Sequence, residues 1–459
     1  MSETTTKLAV TFYGGVGSVT GANFLLENSD TKVLVDCGLQ QGRFEKDTDP
    51  NQKVFAYSAS EIDFLVVTHA HIDHIGRIGK LIKEGFTGTI ISTPPTRDIA
   101  EFMLEDAVKI MSYEEKRFNK PKLYESHHAV QAFENWKTIE YHEEMKLGSF
   151  SLFCKDAGHI LGSVIAELTD THSKKKIVFT GDLGNTPTPL LKDTEKVFDA
   201  DYMITESVYG DRNHEHRSER KSKIKEVINK VVKRGGTLMV PVFSLEKTQV
   251  FLKELNDLIE DGEVQSVPVY FDSPLGIKVT DVYARSTKYF NEDVQQEIKA
   301  GDDIFDFPKL KVTMRQQESR SIDKHHGPKI IIASSGMSEG GRITAHEKKF
   351  LPDKNNALLL IGYQVAGSMG RRLQEGKKKV RMGKDWVKVR ANIYTVSGYS
   401  SHKDSDGLVD FISHSRDSLK KVFVCMGETK SSLFLTQRIR EFLGVDAMVP
   451  DEGERVELE

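Results

Sequence analysis

A chain of 459 residues, 38% hydrophobic and 29% charged, has material for a large core, suggests roughly three domains and shows no bias toward disorder. It has no apolar run near the 18 residues a membrane helix needs, and Met1 to Lys7 lack a signal-peptide layout, so a cytoplasmic protein with no membrane partner is expected. The net charge of −4 argues against blanket attraction to nucleic acid and leaves room for a local basic patch, while Cys37, Cys154 and Cys425 lack the paired spacing of a disulfide framework.

In chain order, strands are predicted at 7–12 and within 22–35, with a glycine-rich stretch from Gly14 to Gly21 between them. That stretch lacks the Lys-Ser/Thr ending of a phosphate loop and is read as a tight inter-strand turn. The run Phe64 to Val67 reads as a short buried strand that empties into His69, His71, Asp73 and His74, four donors within six positions. Imidazole nitrogens and a carboxylate oxygen are the ligand set Zn²⁺ prefers. On extended chain His69 and His71 share a side and suit one ion; Asp73 and His74, where the chain begins to turn, suit a second. A helix at 78–83, a strand at 88–92 and a long helix from Thr96 to about Phe118 follow, an alternation that indicates an α/β architecture.

A pattern then repeats. The strand around Val33 ends in Asp36, that around Phe153 brings in His159, that at 177–180 ends in Asp182, and that at 202–205 ends in Glu206. Loops at the ends of packed strands are where ligands from distant parts of a chain converge, so these residues are expected on one rim.

Residues 217–234 read as a charged helix with Ile224, Val227, Ile228 and Val231 on one stripe. Next come a strand at 237–242, a helix opening near Lys247, a strand at 267–271, and a polar, loop-rich section over 300–326. The strands 329–333 and 357–361 run into the glycine-rich loops Ser334 to Arg342 and Gly362 to Gly370, which suit either phosphate binding or plain turns. Residues 371–390 hold nine Lys or Arg against two acids, a local patch fit for a polyanion, and Val380 to Val389 reads as a β-hairpin. Strands at 392–396, leading through Ser397 to His402, and at 422–425, leading to Met426, resume the first pattern. The second α/β unit is thus expected as an insertion at 208–376 within a domain made of 1–207 and 377–459.

The series Asp36, His69-x-His71-x-Asp73-His74, His159 and Asp182 resembles the metallo-β-lactamase fold. Glu206, the Ser334-Ser335-Gly336-Met337 loop, Gly362-Tyr363-Gln364 and the Gly398 to His402 motif make it similar to the β-CASP branch, in particular to stand-alone prokaryotic ribonucleases of the polyadenylation-nuclease and RNase J types. The resemblance covers nearly the whole chain. It implies an αββα sandwich with an inserted α/β domain, and two Zn²⁺ ions: His69, His71 and His159 on one, Asp73 and His74 on the other, Asp182 between them. Asp36 would orient ligands, and His402, backed by Glu206, would be the general acid. Lys247, Ser335, Gly336, Met337, Gly367, Arg371 and Arg372 would contact single-stranded RNA.

Cleavage would leave 5′-phosphate and 3′-hydroxyl ends, by endonuclease and also 5′ exonuclease action, in a homodimer. One position departs: the family's ribonucleases carry a His where this chain has Met426, and a thioether is a poor Zn²⁺ ligand, so a weak second site is expected. Cys425 is not expected to substitute, because neighbours on a strand face opposite sides. A non-catalytic RNA-binding homologue and an Artemis-like DNA nuclease are the alternatives this departure leaves open.

Overall fold

In the computed structural model, which describes residues 7–42, 44, 48–214, 219–396 and 398–459, the chain divides into two units. The first is Met1–Asn213 with His402–Glu459; the second is His214–Ser401. The leader expectation on Met1 to Thr6, the first two positions of the expected charged helix (Arg217 and Ser218), and Ser397 lie outside the described residues.

Two seven-stranded sheets build the first unit. In one, Lys32–Val35, Phe64–Val66, Thr89–Ser92 and Trp136–Thr138 run parallel, joined through antiparallel pairing to Asn23–Glu27, Ala9–Gly14 and Arg455–Glu457. In the other, an antiparallel meander of Glu144–Leu147, Phe150–Asp156 and Val164–Asp170 leads to the parallel strands Lys176–Phe179, Tyr202–Thr205, Lys421–Val424 and Ala447–Met448.

The period-two alternation of each strand sorts its side chains between layers. Phe12, Phe24, Val35 and Val66 of the first sheet meet Leu152, Cys154, Phe179, Ile204 and Phe423 of the second in one apolar core. On the far face of the second sheet, Val178, Met203, Val422 and Val424 pack with Leu408, Phe411 and Leu435 of the helices Ser405–Ser413 and Thr429–Arg438. Beside the first sheet, helices Ile78–Lys83, Pro94–Phe118 and Ser126–Gln131 pack on one another. The result is the αββα sandwich. No described helix is long and apolar enough to cross a membrane, and all three cysteines are buried and free.

Strand direction is what positions the site. Lys32–Val35 and Phe64–Val66 point the same way, and so do Phe150–Asp156, Lys176–Phe179, Tyr202–Thr205 and Lys421–Val424. Asp36, His69, His159, Asp182, Glu206 and Met426 all lie just past the carboxyl ends of these strands. The Gly14 to Gly21 stretch does more than turn the chain. Gly15 accepts the Met426 backbone N–H at 2.6 Å, and the next residue, Ala22, donates to the Asp73 carbonyl at 3.1 Å.

The second unit is a six-stranded, wholly parallel sheet, in the order Leu310–Val312, Val269–Asp272, Lys329–Ala333, Thr237–Pro241, Ala357–Leu360, Asn392–Thr395. One expectation needs correction. The insert does not end at 376: Asn392–Thr395 pairs with Ala357–Leu360, and Val380, Met382 and Val387 of the basic hairpin are buried in this unit's core, so the chain returns to the first unit at His402. The loop-rich 300–326 section carries the edge strand Leu310–Val312 and the short helix Gln316–Ser321.

Gly38 sits between strand ends with its amide on the Ala22 carbonyl, and a Cβ there would overlap the Asp73 carbonyl. Gly38→Ala is therefore expected to lower stability by about 3 kcal/mol, measured by urea unfolding, through displacement of the Asp73 backbone.

Candidate metal centre

Asp36 anchors the rim. It follows its strand in the left-handed region, at φ 60°, which turns its carboxylate back toward the next strand. One oxygen accepts the Thr68 backbone N–H at 2.8 Å; the other accepts the Thr68 hydroxyl at 2.8 Å and faces His74 Nδ1 at 2.7 Å. Having donated to Asp36, the Thr68 oxygen is left to accept from His69 Nδ1, 3.0 Å away. Each ring thus has its Nδ1 turned to a hydrogen-bond partner and its Nε2 turned into the site, the arrangement a metal-binding imidazole needs.

The site's nitrogens converge. His69 Nε2 lies 3.0 Å from His71 Nδ1, which lies 3.2 Å from His159 Nε2. Asp182 Oδ2 is 3.4 Å from His69 Nε2 and 3.5 Å from His159 Nε2. Bonds of about 2.0–2.1 Å to a tetrahedral ion would set ligand atoms about 3.3–3.4 Å apart, so these four atoms already span such a shell. The other Asp182 oxygen is 3.5 Å from His74 Nε2, a buried nitrogen with no hydrogen-bond partner among the described residues. An orphaned donor atom of that kind fits a second ion.

Electrostatics agrees. Burial, reinforced by neighbouring imidazoles, holds His71 and His159 well below the usual histidine range, and burial and His74 lower His69. At His74 burial works against the charge, but Asp182 and Asp36 outweigh it and carry the ring well above its ordinary value. Burial likewise opposes the Asp182 carboxylate, and His74, His69 and His402 overcome it and pull it well below. Burial raises Asp73, with Asp182 adding to the effect and His74 opposing it. Asp182 and Asp36 thus set negative charge on the side of the pocket where His74 stands, and that side favours a cation.

A second group shares Asp182. His402 Nδ1 faces the two Glu206 oxygens at 3.1 and 3.3 Å and Asp182 Oδ2 at 3.9 Å. Glu206 is held by the Leu183 backbone N–H at 2.6 Å, and His402 by an isolated bridge to Gly184. Burial raises Glu206, with His402 acting the other way.

Met426 lies past its strand at φ 47°, and its Cγ packs close to Gly15. Both Cys425 and Met426 belong to the core between the sheets, so the alternation expected to separate them stops at the strand's end. Thr68, Ser163 (whose hydroxyl accepts the His159 N–H at 3.1 Å) and the Leu183 amide were not singled out from sequence. Only the hydroxyl of Thr68, placed between an apolar strand and the first His, carried a signal.

In the second unit, Lys247, Gly336 and Met337 gather at the carboxyl end of the sheet. Phe243 lies against Gly336 and Gly362, the Lys247 ammonium sits 4.6 Å over the Phe243 ring, and Gln364 bonds the Gly336 and Gly362 carbonyls. Ser335 turns back on its own loop to bond the Glu339 carbonyl. Gly367, Arg371 and Arg372 line a different recess, with the basic hairpin.

Comparison with known proteins gives three family matches along the chain. Residues 25–199 match the metallo-beta-lactamase superfamily domain, 248–373 the Beta-Casp domain, and 386–450 the Zn-dependent metallo-hydrolase RNA specificity domain. Ribonuclease TTHA0252 of Thermus thermophilus is 34% identical over 400 residues, 87% of this chain and 89% of that protein. Transcription termination factor FttA of Methanosarcina mazei is 29% identical over 459 residues, 98% of this chain and 71% of that one. A crystal structure of a protein of unknown function from Enterococcus faecalis V583 shares the fold, with TM-score 0.59 and 10% identity over 98% of this chain and 99% of that one.

Met426→His places an imidazole just past the carboxyl end of Lys421–Val424, on the edge that carries Asp182 and Glu206, and removes a thioether from the core. Metal content and activity are expected to rise together, with a stability loss of about 1–2 kcal/mol by urea unfolding. Unchanged metal content would mean the second site is complete without that position.

Proposed function

Because the chain belongs to the β-CASP branch of the metallo-β-lactamase-fold hydrolases, we propose that it is a zinc-dependent ribonuclease that hydrolyses phosphodiester bonds of single-stranded RNA, leaving 5′-phosphate and 3′-hydroxyl ends. The names of its relatives, a ribonuclease and a transcription termination factor, support RNA as the substrate class. The observation that carries the chemistry is the two-sided Asp182 carboxylate, with three imidazole nitrogens and His74 converging on it.

His69, His71, His159 and Asp182 would hold one ion, and Asp182, His74 and Asp73 the other. When bound, such a pair supplies Lewis acidity and an activated water at neutral pH. The protein's own work is positional. Asp36 and Thr68 fix the tautomers of His69 and His74, and Asp182 couples the two halves of the site. Glu206 accepts from His402 Nδ1 and orients that ring to pass a proton to the departing 3′ oxygen. Among the RNA contacts, half-buried Lys247 has no carboxylate beside it among the described residues, and burial pulls it down to about 8.

Purified protein with zinc is expected to cut single-stranded RNA to products that a 5′-phosphate-dependent exonuclease degrades. Intact RNA, as with an Asp73→Ala control, would defeat the proposal. His402→Ala should lower kcat about 10²- to 10⁴-fold with metal content unchanged.

A lysine with a depressed pKa is charged below that value and neutral above it, so RNA affinity should fall as pH rises through about 8. Lys247→Arg should flatten that fall in a binding titration between pH 7 and 9, since guanidinium stays charged.

A further inference from the structure

The basic stretch of the second unit is built into a two-stranded hairpin, Lys379–Met382 with Asp385–Lys388. Its register sets Lys379 opposite Lys388 and Arg381 opposite Trp386. One face, with Val380, Met382 and Val387, is buried in the core; the other leaves Lys379, Arg381, Trp386 and Lys388 exposed. Folding alone has no use for that outer face. Directly opposed lysines repel, and Trp386 is 61% exposed, with the Lys379 ammonium 5.1 Å from its ring centroid.

Among the described residues, Arg372, Lys377, Lys379, Arg381 and Lys388 have no carboxylate at ion-pair distance. The acids nearby are taken: Glu375 by Arg371 and Asp385 by Lys348, each at 2.9 Å. Between the hairpin and the helix Met369–Gln374 lies a recess of about 410 Å³, large enough for a nucleotide, lined by Trp386 with Arg372, Lys377, Lys379 and Arg381.

We propose that this face is a binding site for single-stranded RNA, with a base stacked on Trp386 and flanking phosphates on Lys379, Arg381 and Arg372. The inference rests on the reading of the chain as a ribonuclease and adds a site remote in sequence from the metal ligands. Unpaired phosphate-binding cations around one open aromatic face are what a single strand requires, because its bases are free to stack. A duplex keeps its bases to itself, and an acidic peptide would satisfy the charges but not the ring.

The chain has two tryptophans, and Trp136 is buried with its Nε1–H on the Ser92 hydroxyl at 2.9 Å, so a fluorescence change on binding reports Trp386. Full-length Asp73→Ala protein, which is expected not to cut, would be titrated with an oligouridylate. Saturable quenching is expected; Trp386→Ala should weaken binding about tenfold and Trp386→Phe restore most of it. Lys379→Gln with Arg381→Gln should flatten the slope of log affinity against log salt by about 1.4. Otherwise wild-type protein carrying any of these changes should hydrolyse a small chromogenic phosphodiester unchanged.

Absent quenching, unchanged affinity in Trp386→Ala, or equal binding and quenching by duplex RNA or polyglutamate would overturn the site. A chain that cuts no RNA while Trp386 still responds as described would refute the ribonuclease reading and leave the site standing.

Discussion

The arrangement depends on one buried carboxylate. Asp182 faces His69 and His159 with one oxygen and His74 with the other, in a place where a charge is tolerated only if compensated. Everything around it serves that compensation. The parallel strands of both sheets must end on the same edge for the ligands to meet, and the apolar core between the sheets holds the two edges in register. Asp36 and Thr68 then set which nitrogen of each ring is offered. A slip of one residue in Phe64–Val66 would turn the histidine run toward the opposite face.

The same constraint explains why the general-acid candidate comes from far along the chain. His402 is the first residue after the inserted unit, bridged to Gly184 and paired with Glu206. In sequence, Glu206 precedes the start of the inserted unit by eight residues. The second unit repeats the device at smaller scale: parallel strands end in loops that collect Lys247, Phe243 and Gln364.

The sandwich and the ligand run were legible because buried strands read as short apolar runs and five of them lead into Asp36, His69, His159, Asp182 and Glu206. The charged helix also kept its stripe, with Ile224, Val227, Ile228 and Val231 buried. What stayed hidden has physical reasons. The hairpin at 379–388 and the strand Asn392–Thr395 read as strands but carry too little apolar surface to declare their unit; burial of Val380, Met382 and Val387 assigns the hairpin, and pairing with Ala357–Leu360 assigns the strand. The helices Pro274–Arg285 and Glu292–Lys299 had caps in plain view, Ser273 before a proline and Asn291 before two acids, but no long apolar period. Met426 misled through strand alternation, because a left-handed residue past the strand's end no longer obeys it. Thr68 gives only a faint sign in sequence because its importance lies in two hydrogen bonds made across strands.

The central claim, a two-ion centre shared through Asp182, is tested most directly by calorimetric titration of zinc into metal-stripped protein. The account predicts two sites per chain, a tight one at His69, His71 and His159 and a weaker one that His74→Ala abolishes. Binding of no zinc, or of a single ion indifferent to His74→Ala, would contradict it.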